Sequence, residues 1–192
     1  MNFSYNGDCF DGIIKSMISK HQQNCIELVS GSDYSNKSLP SNIFFYNTSD
    51  WSSNGVLDKA WLMISFPFYI SLTHYSIRSC DVYVNSGKGY LLAWVFDGSA
   101  DGKTWEIIED IDHTEELKDF KVSTRSVNQR FHNHPLKYFR FKMKKANYDN
   151  CYIMRITNIE FFGDVVSFQK IITCYKNSFT IKSFIFIIIY MK

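Results

Sequence analysis

Between residues 137 and 144 apolar and polar side chains alternate without a break. Phe139, Phe141 and Met143 fall on one side, Tyr138, Arg140, Lys142 and Lys144 on the other. Period-two order of this kind predicts a strand with one face buried and one face wet. The run Ile153 to Gly163 alternates in the same way, with Ile153, Arg155 and Thr157 set against Met154 and Ile156, and closes on Ile159-Glu160-Phe161-Phe162-Gly163. Cys25 to Ser30, Trp61 to Phe66, Ile70 to Arg78, Tyr90 to Phe96 and Trp105 to Ile108 read as further strands, and Pro67 is expected to separate the second of these from the third. Asp97-Gly98-Ser99-Ala100-Asp101-Gly102 carries two Asp-Gly pairs and reads as a tight turn, because glycine takes positive φ without strain. One segment has helical spacing: in Asp11 to Lys20 the apolar residues Ile14, Met17 and Ile18 stand at i, i+3 and i+4, and Asp11 is placed to cap the start. A single short helix among many short strands predicts an all-β sandwich or barrel.

Composition supports a packed domain. Of 192 residues, 45% are hydrophobic and 17% aromatic, with only 3 prolines, so the chain has the material for a core and is not a low-complexity linker. Charge is low and nearly balanced at +2, which excludes a globally basic nucleic-acid binder. It is also unevenly placed. Residues 1–164 carry −2, whereas Lys170, Lys176, Lys182 and Lys192 make the tail +4. That tail ends in eight apolar residues, Phe184 to Met191, too few for a membrane-spanning helix of about 20 residues. It is read as an added strand or an exposed appendage, and membrane contact through it is not expected. The pattern therefore divides into a helical segment (1–23), a β domain (24–164) and a basic, apolar tail (165–192). The first residues show neither a basic start nor an apolar stretch, and the five cysteines include no Cys-x-x-Cys pair and leave one unpaired whatever the connectivity. Free thiols and a cytoplasmic location are the expectation; a Cys25–Cys151 bridge is the alternative.

Four blocks in order resemble a known family: Trp61-Leu62-Met63-Ile64-Ser65-Phe66; Tyr75-Ser76-Ile77-Arg78-Ser79; Trp94-Val95-Phe96-Asp97-Gly98-Ser99-Ala100-Asp101-Gly102-Lys103-Thr104-Trp105; and Tyr138-Phe139-Arg140-Phe141 followed by Ile159-Glu160-Phe161-Phe162-Gly163. Together they are similar to a discoidin domain, also called a coagulation-factor type C (F5/8 type C) domain, over about residues 24–164. The resemblance implies a galactose-binding-like β-sandwich, or jelly roll, whose ligands bind at loops crowning one end. By that analogy Trp51, Tyr83, Tyr90 and Tyr148 are the candidate contact aromatics, with Arg78 and Asn147 as hydrogen-bonding partners. The third block has an explanation without a ligand: Trp94 and Trp105 pack across a hairpin, and Asp97, Ser99 and Asp101 bond backbone groups within its turn. Some relatives of this fold hold a structural calcium ion. Asp50 and Glu160 are the residues that match, but the usual Asp-Gly-Asp element is missing.

No motif for catalysis is found: there is no Gly-x-Ser-x-Gly, His-Glu-x-x-His or phosphate-binding glycine loop. His132 and His134 are two imidazoles without further ligands, the acidic stretch Glu106 to Asp119 lacks the order of a calcium loop, and the basic face Arg140, Lys142, Lys144 reads as the wet side of a strand. The resulting expectation is a non-catalytic binding module without metal or cofactor. A protein-interaction domain inside the cell is the first reading, a carbohydrate-binding, lectin-like module the alternative and a phospholipid-surface binder the outsider; the partner is a protein or glycan and not nucleic acid.

Overall fold

The computed structural model describes residues 1–47, 49–79 and 90–166. Its elements in chain order are β1 (Asn2–Phe3), α1 (Ile13–Ser19), β2 (Glu27–Ser30), β3 (Trp51–Ser52), β4 (Trp61–Arg78), β5 (Trp94–Ser99), β6 (Glu106–Ile111), β7 (Val122–Ser126), β8 (Leu136–Met143), β9 (Arg155–Ile156) and β10 (Asn158–Val166), joined by loops and short 3-10 turns. The all-β reading with one short helix holds.

β4 organises the molecule. Its first half pairs with β2 and β8, its second half with β10 and β7. The strand bends where its register on β8 breaks, between Ser65 and Ile70, and passes from one layer of the sandwich to the other. Pro67 lies in that bend and is exposed, so its missing N–H costs no ladder bond. The expected break at Pro67 is thus a bend in one 18-residue strand. One layer runs β2-β4-β8-β5-β6 and the other β1-β10-β4-β7, with β3 and β9 forming a separate two-stranded ribbon. Both ends of β4 meet the segment between β8 and β10, Trp61 pairing with Lys142 near the end of β8 and Arg78 with Asn158 at the start of β10, and so define one end of the sandwich.

The faces turned inward carry the core. Phe66, Phe96, Phe139, Phe141 and Phe161 are fully buried, and the Phe96 and Phe141 rings stack with centroids 4.3 Å apart. β8 behaves as its alternation predicts: Leu136, Phe139, Phe141 and Met143 are buried and the residues between them are half-buried. At Gly163, φ is +148° and a Cβ would fall 2.1 Å from the Ser71 carbonyl oxygen, so only glycine fits the bulge where β10 shifts register on β4.

Three details of the Trp94 to Trp105 block differ from the sequence expectation. The strand begins at Trp94 rather than Tyr90 and continues through Asp97-Gly98-Ser99, with a bulge between Phe96 and Asp97. The turn proper is closed by Ser99, whose hydroxyl accepts from the Asp101 and Gly102 amides, and by Asp101, whose carboxylate accepts from Lys103 and Thr104. Asp97 is no turn residue. It is 2% exposed and holds Arg140 (2.9 Å) and Lys142 (2.5 Å), while Arg140 lies 3.9 Å from the Trp105 ring centroid. Trp94 is buried and donates to the Tyr75 hydroxyl, so the two tryptophans serve different contacts instead of packing on each other. The basic face of β8 is therefore ion-paired rather than simply wet: Lys144 bonds Asp110 and Asp112 of the acidic stretch.

The N-terminal segment packs on the same core as the sandwich. β1 pairs with β10 through Asn2↔Asp164 and Phe3↔Gly163, and α1 buries Ile13, Ile14 and Met17. β10 itself runs beyond residue 164, with Val165 and Val166 opposite Ile70 and Tyr69. The rest of the predicted tail, 167–192, lies outside the described residues. Cys25 and Cys151 are free thiols, not a bridge.

Candidate functional site

The loops at the Trp61/Arg78 end of the sandwich are residues 31–60, 112–121 and 144–157 together with the described edges of the 79–93 segment. Backbone hydrogen bonds tie them together: Ser53 to Met154, Lys144 to Ala93, Thr114 to Leu92 and Thr157 to Arg78. Five of the six residues singled out from the sequence come to this end, and their surroundings differ sharply.

Trp51 is fully buried; it belongs to β3, and its indole N–H donates to Asp33 at 2.9 Å. It is a core residue rather than a loop tip. Arg78 is held in place by Asn158, which accepts from its guanidinium, and by the rings of Phe10 and Phe120, at 4.9 and 4.5 Å. Burial pulls its pKa below the ordinary arginine value. Tyr90 is buried beneath Tyr148, their rings stacked at 5.0 Å, and burial with nearby Glu115 and Tyr148 pushes its hydroxyl up to about 12. Asn147 is a buried loop clip: its side-chain oxygen accepts from the Asp149 and Cys151 amides, and its side-chain nitrogen donates to the Ile153 carbonyl. Tyr148 is exposed at 43%. Tyr83 lies outside the described residues.

Beside Tyr148's loop runs an open groove of about 720 Å³ lined by Gly55, Val56, Leu57, Asp58, Ala60, Trp61, Lys142, Met143 and Tyr152. Its floor is the end of β4 and β8. One wall is the 55–60 turn, the other the loop that Asn147 clips. Gly31 sets the position of the Trp61 ring, since a Cβ there would fall 2.3 Å from the indole nitrogen. Lys142 enters the groove from the wet face of β8 with its ammonium anchored on Asp97. The groove thus offers apolar and aromatic surface from Val56, Leu57, Trp61 and Tyr152, one carboxylate and one ammonium. Tyr34, Leu39, Phe45 and Tyr148 also stand exposed on loops of this end. Only the last of these, among the groove and its rim, was marked from the sequence. The groove draws on three separated segments, and the one local signal was an apolar pair, Val56-Leu57, left in a turn directly after Asn54-Gly55.

The residues matched to a calcium site do not fit the ion. Calcium takes 6–8 oxygen ligands. Asp50 accepts from the Ser52 hydroxyl, while both carboxylate oxygens of Glu160 already accept backbone amides, from Ile14 (2.7 Å) and Lys15 (2.9 Å). Among the described residues no group of three or more His, Cys, Asp or Glu side chains converges. His134 pairs with Glu106 at 2.7 Å.

No protein-family model matches the sequence, and no curated protein matches it significantly. Solved structures do. The fold is that of the discoidin-like, F5/8 type C β-sandwiches. A family 89 glycoside hydrolase from Clostridium perfringens superposes with a TM-score of 0.58 at 13% identity, over 73% of this chain but only 14% of the hydrolase. The chain thus spans a small fraction of that enzyme. Other matches cover nearly the whole of the matched domain. The CBM32-5 module of the C. perfringens protein CpGH89, solved in complex with GalNAc-β-1,3-galactose, matches at 9% identity and a TM-score of 0.56, over 73% of this chain and 97% of the module. An F5/8 type C domain from Bacteroides fragilis matches at 14% identity and a TM-score of 0.56, over 75% and 95%.

Proposed function

We propose that this chain is a carbohydrate-binding module whose ligand lies in the groove between the 55–60 turn and the Asn147-clipped loop. The observation that carries the reading is the groove's lining: aromatic and apolar surface beside a single carboxylate and a single anchored ammonium, at the loop end of the sandwich. Sugar rings present an apolar face of C–H groups and a rim of hydroxyls, so they need flat aromatic surface with a few fixed polar groups. The CBM32-5 module, with the same fold, was solved with a disaccharide, which supports this ligand class. The function proposed is binding without catalysis. A glycan array, followed by titration of GalNAc-β-1,3-galactose into the chain and its Tyr152→Ala and Asp58→Ala variants, tests it. Each variant is expected to weaken binding about tenfold, roughly 1.4 kcal/mol, while remaining folded. A second reading, a protein partner, is favoured by the exposed apolar tips Tyr34, Leu39 and Phe45, which stand on loops of this same end but do not line the groove. Binding of a protein that survives Tyr152→Ala and is lost on Phe45→Ser would select that reading.

A further inference from the structure

Glu160 is fully buried on β10, and no cationic side chain lies within ion-pair distance of its carboxylate among the described residues. An isolated buried carboxylate is costly, so its partners need to be found. They are backbone amides. Oε1 accepts from Ile14 at 2.7 Å and from its own neighbour Phe161 at 2.9 Å; Oε2 accepts from Lys15 at 2.9 Å and from the Tyr46 hydroxyl at 3.3 Å. Ile14 and Lys15 lie in the first turn of α1, whose own N-cap, Gly12, supplies no side chain, and Asp11 does not cap it. The carboxylate thus satisfies amide donors that every helix start leaves open. Gly12 makes the approach possible. A Cβ there would fall 2.5 Å from the Phe161 carbonyl oxygen and 2.8 Å from the Glu160 carboxyl carbon. Two residues earlier on the same strand, Asn158 donates to the Ile43 and Phe45 carbonyls at 3.0 and 3.1 Å. Glu160 and Asn158 together therefore pin α1 and the 43–46 segment to β10.

We propose that the first-turn amides of α1, admitted by Gly12, take the place of a metal ion at Glu160, so that this junction holds the N-terminal helix and the neighbouring loop without calcium. The oxygens that would coordinate an ion are already used by the Ile14, Lys15 and Phe161 amides and the Tyr46 hydroxyl, and these donors offset part of the cost of burying the carboxylate. The physical consequence is a domain whose stability is blind to calcium but sensitive to the length and polarity of residue 160 and to any side chain at residue 12.

The test is thermal unfolding of the full chain in EDTA and in millimolar calcium chloride, repeated for Glu160→Gln, Gly12→Ala and Tyr46→Phe. The wild type is expected to show the same Tm in both conditions. Glu160→Gln puts an amide donor against an amide donor and lowers Tm, Gly12→Ala lowers it by pushing the helix off the strand, and Tyr46→Phe lowers it least; calcium restores none of them. A saturable rise in wild-type Tm with calcium that disappears in Glu160→Gln would overturn the proposal. Should Glu160→Gln fail to fold, the same rise in Tyr46→Phe would overturn it equally. Unchanged Tm in both Gly12→Ala and Glu160→Gln would overturn it too, because the junction would then hold nothing.

Discussion

Replacing Asp97 by alanine removes the shared anchor of two cations and links stability to the groove. The carboxylate is 2% exposed and accepts from Arg140 Nε at 3.1 Å, from Arg140 Nη2 at 2.9 Å and from Lys142 Nζ at 2.5 Å. Charge-assisted hydrogen bonds contribute about 1.5–3 kcal/mol each when lost, and breaking a fully buried pair costs about 3–5 kcal/mol. The cations here are 24% and 36% exposed, so water takes over part of their solvation and the larger figure does not apply. A loss of about 2–3 kcal/mol follows, equivalent to roughly 4–12 °C in Tm for a domain of this size. Arg140 keeps its stacking on Trp105, which limits the damage to that side chain, whereas Lys142 loses its fixed position in the groove. Urea unfolding followed by tryptophan fluorescence measures the first effect, and Asp97→Asn, which keeps one acceptor, is expected to fall between the wild type and alanine. A change below about 0.5 kcal/mol, typical of an exposed surface position, would refute the account of Asp97 as a buried anchor.

Stability is expected to vary with pH through Glu160, whose carboxyl burial raises from 4.5 to about 7 against the lowering effect of its amide donors. A folded-state value above the unfolded one means that the folded chain holds more protons between those limits. Stability therefore falls as pH climbs from about 4.5 to 7, by at most about 3 kcal/mol, and levels off above. Tyr46 faces the same carboxylate with its hydroxyl pushed upward by burial and so stays protonated, while His74, held below the ordinary histidine value of 6.5 by burial and nearby His132, acts in the opposite sense below that value. Urea midpoints from pH 5 to 8 check this, and Glu160→Gln is expected to flatten the slope. Truncation gives an independent check on the closing strand. A chain ending at Val166 keeps the Met1 and Val165 backbone bonds (2.7 and 3.1 Å) and the pairing with Tyr69 and Ile70, whereas one ending at Gly163 loses all of them. The shorter chain is expected to be less stable by about 1–3 kcal/mol; equal midpoints would show β1 and the end of β10 to be frayed.

What was legible in the sequence was what periodicity and turn chemistry encode. The alternation of residues 137–144 gave the buried face of β8 correctly, while its other face is half-buried and ion-paired rather than wet, and the Ser99–Thr104 turn follows from side chains that bond their immediate neighbours. Features set by distant residues were hidden. Asp97 looked like a turn residue because its partners, Arg140 and Lys142, lie over 40 positions away, and Glu160 gave no sign that its partners are amides of residues 14 and 15. Pro67 suggested a break because nothing local shows that an 18-residue strand bends there between two layers. Trp51 failed as a site residue for a general reason: an aromatic in a polar loop has the same signature whether it points out or forms the floor of the loop. The groove is assembled from the 55–61, 142–143 and 152 segments, so its chemistry became visible only once they met.

The central claim is that the groove binds a sugar, and isothermal titration of GalNAc-β-1,3-galactose into wild-type chain and Tyr152→Ala, in parallel with a glycan array, tests it most directly. Saturable binding to at least one arrayed glycan, weakened about tenfold by Tyr152→Ala with Tm preserved, is the predicted result. Silence across the array from a folded wild-type chain, or binding that Tyr152→Ala and Asp58→Ala leave unchanged, would contradict it.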